Sequence, residues 1–164
     1  MTYAIILFLL PFAMAIPLLN KRGTGVHLDV QSESDFCSYL PPKQGQLVAA
    51  TEEDASPFCT VAKDYAAAFP LGFIQSAHFL RTKDFFQVTG KIDHTKYNLI
   101  STDGGGQYDH KDLPHGTCNG LKYFVNLVEP DSNVFCIRCC QKKKDCNTGI
   151  STQGCRRIVP GIYQ

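Results

Sequence analysis

The clearest structural signal in the chain is the stretch KYFVNLVEPDSNVFCIRCC at residues 122–140. Two runs of apolar, β-branched and aromatic residues flank Pro130-Asp131-Ser132, and such residues are typical of a turn. The stretch therefore predicts a β-hairpin with strands at 122–129 and 133–140. Because side chains alternate between the faces of a strand, the second strand should present residues 135, 137 and 139 on one face and residues 134, 136 and 138 on the other.

Shorter strand signals surround this hairpin. Candidate strands lie at 26–30, 35–40, 72–80 and 85–92, and residues 81–84 form a turn between the last two. In the strand at 85–92, Phe86 and Val88 alternate with Gln87 and Thr89, which predicts one face in contact with water. Only residues 60–69 have helical character, and Pro70 ends it. Short strands between turns predict a mainly β domain, a small disulfide-stapled β-sandwich or β-barrel with one short helix.

The cysteines indicate an oxidising compartment. An even number of cysteines in a small exported domain is typical of a disulfide framework. The sequence leaves the pairing open, but adjacent Cys139 and Cys140 point to opposite faces of an extended strand and should have different partners. Cys146 and Cys155 bracket a polar loop that they could close. A zinc site at 136–146 is the less favoured alternative. The eight cysteines are Cys37, Cys59, Cys118, Cys136, Cys139, Cys140, Cys146 and Cys155.

The first 22 residues have the pattern of a secretory leader. An apolar run at 1–13 is too short to span a membrane, and the small residues of Ala13-Met14-Ala15 predict signal-peptidase cleavage after Ala15. Residues 16–22 then form a short pro-segment that ends in the dibasic pair Lys21-Arg22. The expected organisation is a signal peptide at 1–15, a pro-segment at 16–22 and one cysteine-rich β domain at 23–164. The near-neutral charge of that domain disfavours nucleic acid as a partner.

The most unusual stretch is TDGGGQYDH at 102–110. Its three glycines can expose backbone amides to an anion, and its two carboxylates could bind calcium or act as an acid and base. The alternative is a tight structural loop whose Asp side chains cap backbone amides. No catalytic motif accompanies it, and we expect no enzymatic activity, metal or cofactor. The candidate ligand loop comprises Asp103, Gly104, Gly105, Gly106, Tyr108 and Asp109.

Two further clusters carry charge. His110 and His115 share a loop with Asp109 and Asp112, which could form a weak copper or zinc site, although a solvated loop is the simpler interpretation. The C-terminal region is locally basic at residues 142–144 and 156–157. That run is typical of a soluble surface, and the functional alternative is docking to anionic polysaccharide or lipid head groups.

Several segments occur in an order that resembles a family of small secreted cysteine-rich fungal proteins, distantly similar to the immunoreactive mannoprotein or macrophage-activating glycoprotein type. The resemblance implies a fungal extracellular or cell-wall-associated protein without established enzymatic activity. The chain lacks the Ser/Thr-rich stalk of the mannoproteins. The segments are DFCSYLPP at 35–42, GFIQSAH at 72–78, QVTG at 87–90, DGGGQYD at 103–109, FCIRCC at 135–140, DC at 145–146, GC at 154–155 and VPGIY at 159–163.

The sequence therefore predicts a secreted, non-catalytic fungal protein that acts at the cell surface, the cell wall or a host interface, in an effector-like or mannoprotein-like role. The expected partner is a cell-wall polysaccharide or a host protein, the protein should be a monomer, and no membrane span is expected. The alternative is a carbohydrate-binding or wall-active module that uses the loop from Asp103 to Asp109.

Overall fold

The computed structural model describes residues 27–164, so the leader and the cleavage sites predicted at Ala15, Lys21 and Arg22 lie outside the described residues. Within 27–164, no helix is long and apolar enough to cross a membrane. This part of the chain forms ten strands and one α-helix, which are β1 His27–Leu28, β2 Cys37–Leu40, β3 Ser56–Cys59, β4 Ala67–Ala68, β5 Ile74–Arg81, β6 Phe85–Ile92, β7 Gly106–Asp109, β8 Thr117–Cys118, β9 Tyr123–Glu129, β10 Val134–Cys140 and α1 Gly154–Ile158.

The central element is a five-stranded antiparallel sheet with the order β5-β6-β10-β9-β7. The predicted hairpin is confirmed as β9 and β10, whose register runs from Val134 opposite Glu129 to Cys140 opposite Tyr123. The predicted pair at 72–92 is likewise confirmed as β5 and β6. The edge strands β5 and β7 do not pair with each other. Of the two predicted architectures, the sandwich is therefore the one that forms.

One face of this sheet packs against a second, three-stranded sheet with the order β2-β3-β4. Phe36, just before β2, stacks on Phe135 with 5.5 Å between ring centroids. The buried Asn126 joins the sheets, because its Oδ1 accepts hydrogen bonds from the Tyr39 amide at 2.6 Å and the Ser38 hydroxyl at 3.0 Å. The predicted face with residues 135, 137 and 139 is thus the face inside the sandwich.

The C-terminal segment covers the other face of the five-stranded sheet. Ile158, Val159 and Tyr163 form a second hydrophobic cluster with side chains of β9 and β10. The expectation that β6 has one wet face is wrong for this reason. Gln87 donates to the Pro160 carbonyl at 3.0 Å, Thr89 donates to the Ile162 carbonyl at 2.8 Å, and both side chains are buried. The alternation of apolar and polar residues within a strand does not show whether a later segment of the chain covers its polar face.

All eight cysteines form disulfides, and none is free. Cys139 and Cys140 have different partners, as predicted from their opposite orientations. The suggested closure of one loop by Cys146 and Cys155 is wrong, because these residues are bound to two different cysteines of β10. The zinc alternative at 136–146 is also wrong, since all the cysteines of that segment form disulfides. The pairs are Cys37–Cys59, Cys118–Cys139, Cys136–Cys155 and Cys140–Cys146.

The helix predicted at 60–69 does not form. This segment makes a turn and then β4, which pairs in parallel with β3. Phe69 stacks on Phe73 and packs at a tilt against Phe36, with centroid distances of 5.5 and 5.9 Å, and its amide donates to the Cys59 carbonyl. Aromatic packing into the sandwich therefore outweighs the helical preference of three alanines. The short helix lies at α1 instead.

Candidate functional site

The glycine-rich loop forms one wall of a groove of about 560 Å³. The groove lies between this loop, the end of β9 and the 3₁₀ turn Ser151–Gln153. Backbone of Gly104, Gly105 and Gly106 lines one side, and the carboxylates Glu52 and Glu129 are also part of the lining. The loop chosen from the sequence thus borders a concave surface of the described chain.

Close backbone packing explains two of the three glycines. Gly105 has a φ of +93°, and a β-carbon there would lie 2.2 Å from the Val128 carbonyl oxygen. A β-carbon on Gly106 would lie 2.6 Å from the Ala49 amide nitrogen. No side chain fits at these distances, so both positions require glycine. Gly104 is exposed, and a β-carbon on it would have Asp131 Oδ2 as its nearest neighbour, at 3.8 Å.

Asp103 fastens the loop to the rest of the fold. Its buried carboxylate accepts hydrogen bonds from the Val48 amide at 2.8 Å and from the Gly105 amide at 2.9 Å. Its own carbonyl accepts a bond from the Asp131 amide at 3.0 Å. Both carboxylate oxygens therefore cap backbone donors. This is the arrangement of the structural alternative considered for the loop.

Tyr108 and Asp109 point to opposite faces of β7. Tyr108 is buried inside the sandwich, where its hydroxyl lies 2.9 Å from that of Thr51, and burial raises the pKa of its phenol well above the usual range. Asp109 is buried on the other face and accepts from the Gln107 amide group at 2.7 Å and from the Lys111 backbone amide at 2.6 Å. Neither side chain lines the groove.

The carboxylates in the groove are ones that the sequence did not single out as ligands. Glu129 accepts from the Cys155 amide at 2.5 Å and from the Ser132 hydroxyl at 3.2 Å. Glu52 accepts from the Gln107 backbone amide at 3.0 Å. Asp131 is exposed at the rim. The position of Glu129 at the end of a predicted strand was the one sequence feature that could have pointed to it as a groove residue.

The groove can offer hydrogen bonds more readily than acid–base chemistry. Its half-buried glutamates already accept hydrogen bonds from backbone amides. The hydroxyls of Ser132, Ser151 and Thr152 add donors and acceptors, whereas Leu127 and Ala49 supply the apolar part of the lining. Such a surface suits a polar, uncharged ligand. Whether the loop binds one remains a prediction.

The histidine cluster is not assembled into a metal site in the structure. His110 is buried, its Nδ1 lies 3.1 Å from the Phe124 carbonyl oxygen, and its ring packs edge-on against Tyr123 at 5.1 Å. His115 is exposed. Among residues 27–164, no group of three or more histidine, cysteine or acidic side chains is arranged to hold a metal ion.

Among curated proteins, the chain is similar to two from the fungus Mycosarcoma maydis. It is 31% identical to appressorium protein ROW1 over an alignment of 160 residues, and the match covers 82% of this chain and 36% of ROW1. It is 33% identical to appressorium protein ROW2 over 99 residues, which cover 59% of this chain and 33% of ROW2. The chain therefore spans about a third of the length of these relatives. No family model and no solved structure matches it.

These findings support part of the family resemblance drawn from the sequence. The chain is a cysteine-rich protein with four disulfides, and its relatives are fungal. The likeness to mannoproteins remains a prediction. The chain is thus a disulfide-bonded β-sandwich protein similar to fungal appressorium proteins.

Proposed function

We propose that this protein is secreted and acts without catalysis at the fungal cell surface or its host interface. The observation that carries the proposal is the similarity to appressorium protein ROW1, which extends over 82% of the chain. An appressorium is the cell with which a fungus penetrates a host surface. A location in the wall or between wall and host is compatible with similarity to a protein of such a cell.

The disulfides support the extracellular part of the proposal. Bridges of this kind persist in oxidising compartments and are rare in the cytosol. One bridge joins β2 to β3 within the three-stranded sheet, and the other three join β10 to β8, to α1 and to the loop after β10. A domain stapled in this way resists unfolding outside the cell, where no chaperone would refold it.

The structural roles of the loop residues support a non-catalytic role. Asp103 caps two backbone amides and Tyr108 lies in the core, so neither can reach a ligand in the groove. General acid–base catalysis requires a carboxyl group within hydrogen-bonding distance of the reacting atoms, and the groove carboxylates Glu52 and Glu129 are already engaged by backbone amides. We therefore propose a binding or structural role for the domain.

The groove favours a second candidate, a carbohydrate-binding module. Its glycine backbone, its hydroxyls and its carboxylates match the polar groups that orient sugars, and its size of about 560 Å³ suits a small ligand. Pull-down with chitin, glucan and mannan tests this candidate, with Ser132→Ala as the variant and Ser34→Ala as an exposed control away from the groove. Equal retention of both variants would contradict binding in the groove.

The test of the main proposal is a gene deletion in the fungus that produces the protein. Strains complemented with the full chain should recover host penetration. A chain without residues 1–22 should remain in the cytosol and fail to complement. Growth of all strains on rich medium is the control for a general defect. Normal penetration by the deletion strain, or full complementation by the leaderless chain, would contradict the proposal.

A further inference from the structure

One end of the five-stranded sheet carries most of the unpaired cations of the domain. The antiparallel register sets Cys140 opposite both Phe85 and Tyr123, and Arg81 opposite Phe86, so these four strand ends meet. The residues that flank them must lie at the same end. Six basic residues do so, namely Arg81, Lys83, Lys122, Lys142, Lys143 and Lys144, and all six are exposed. We call this surface the basic end.

The three consecutive lysines of the basic end are held in a closed loop. The Cys140–Cys146 disulfide joins cysteines only six residues apart, and the lysines lie between them. The Gln141 amide donates to the Asp84 carbonyl at 2.9 Å, which ties the loop to the turn between β5 and β6. A 3₁₀ turn at Lys143–Asp145 fixes its middle. A bound partner would therefore meet charges whose backbone is already ordered.

The charges of the basic end are not neutralised within the fold. None of its six side chains forms an ion pair with a carboxylate of residues 27–164. Lys111, at the β7 edge of the same sheet end, is instead paired with Asp109 at 3.5 Å. Asp84 and Asp145 are the only acidic residues in the turn and loop that carry Lys83 and the three lysines.

The opposite end of the sheet carries charges of both signs. Glu129 ends β9 there, Asp131 follows it, and Asp93 follows β6, where it pairs with Lys96. The chain as a whole has a formal charge of only +1. Its cations are thus concentrated at the basic end, and a near-neutral protein presents a locally cationic surface.

We infer that the basic end docks onto a polyanionic polysaccharide, such as a uronic-acid polymer. Five of the six cations are lysines, which act as mobile point charges and suit a flexible, hydrated polyanion better than a rigid bidentate ligand. A membrane surface normally requires apolar anchors beside the charges. Of the large apolar side chains exposed within residues 27–164, only Leu80 lies at this end. The surface therefore lacks the insertion residues of a lipid-binding site.

The choice of a polysaccharide rests on the proposed extracellular function, because such polymers occur in walls and matrices. The binding of a polyanion at this end rests on the charge distribution alone. A protein found inside the cell would therefore contradict the proposed function, whereas a failure to bind the polyanion would contradict only the present inference.

The test is binding of the chain, secreted from a fungal expression host, to immobilised polygalacturonate at low ionic strength. The first variant replaces Lys142, Lys143 and Lys144 with glutamine. The control variant replaces Lys43, Lys91 and Lys96, which lie towards the opposite end of the sheet, with glutamine. Both variants have the same net charge. Circular dichroism and thermal melting confirm that both remain folded.

We expect the loop variant to bind about tenfold more weakly than the natural chain, because each exposed charge contact contributes modestly and the three add. The control variant should bind within about twofold of the natural chain. Binding should also fall steeply with added salt. Equal loss in both variants, retention on neutral glucan at the same strength, or binding to phosphatidylserine vesicles without binding to polygalacturonate would overturn the inference.

Discussion

Replacement of Asp103 with alanine distinguishes a structural from a ligand-binding role for the glycine-rich loop. The change removes both acceptors of the buried carboxylate, so the amides of Val48 and Gly105 lose their partners. Val48 is fully buried, and water cannot replace the lost acceptor at its amide. The fold should therefore lose stability even when no ligand is present.

The expected magnitude follows from the two hydrogen bonds. A bond to a charged acceptor contributes about 1.5–3 kcal/mol, and a buried donor without a partner costs about 1–3 kcal/mol. Because these contributions overlap and the loop can relax partly towards solvent, we expect Asp103→Ala to lower the free energy of unfolding by about 3 kcal/mol. Asp103→Asn keeps one acceptor oxygen and should cost less.

Urea unfolding followed by circular dichroism measures this difference, with the disulfides intact. Asp131→Ala is the matched control, because Asp131 is an exposed carboxylate at the groove and its removal should change stability by less than about 0.5 kcal/mol. The reasoning would be refuted if Asp103→Ala were as stable as the Asp131 control. A ligand role would then gain support from any loss of polysaccharide binding.

Two further changes test the loop and its surroundings. Gly105→Ala should destabilise the fold by about 3 kcal/mol or more, because it combines positive φ with a clash against the Val128 carbonyl, whereas Gly104→Ala should be nearly neutral; equal unfolding midpoints in urea would contradict this. Burial, reinforced by the nearby Asp109 carboxylate, raises the pKa of Asp112. The folded state then binds more protons than the unfolded state between the ordinary and the raised pKa, so stability from this group falls as pH rises through that window. Asp112→Asn should thus be at least as stable as the natural chain at neutral pH and lose this advantage in acid; thermal melting across pH checks the sign, and a larger advantage in acid would contradict it.

Local patterns predicted the centre of the fold well. The hairpin at 122–140 has its turn, strand limits and face assignment encoded within nineteen neighbouring residues, and the structure confirms the turn and the faces, with each strand beginning one residue later than predicted. The strand pair β5 and β6 was likewise predicted from its local sequence. The opposite orientation of Cys139 and Cys140 followed from strand geometry alone.

Features that depend on distant partners were not predictable. The burial of Gln87 and Thr89 depends on a tail about seventy residues later, and β4 depends on pairing with β3. The disulfide pairing of Cys155 depends on where that tail crosses β10.

The candidate site, too, was predictable only where local sequence determines it. Composition alone drew attention to the glycine-rich loop, which does border the groove. The burial of Tyr108 and the presence of Glu129 and Glu52 in the lining depend on how three segments meet. Alternation along β7 could have shown that Tyr108 and Asp109 face opposite ways, but not which face was covered.

The claim of an exported, oxidised scaffold is tested most directly by the intact mass and peptide map of the protein recovered from culture fluid. We expect a chain that begins at Gly23 and lacks eight hydrogen atoms relative to its reduced form, two for each of four bridges. The map should contain the linked pairs described above. A chain found only inside cells, with residues 1–22 intact and free thiols, would contradict the account.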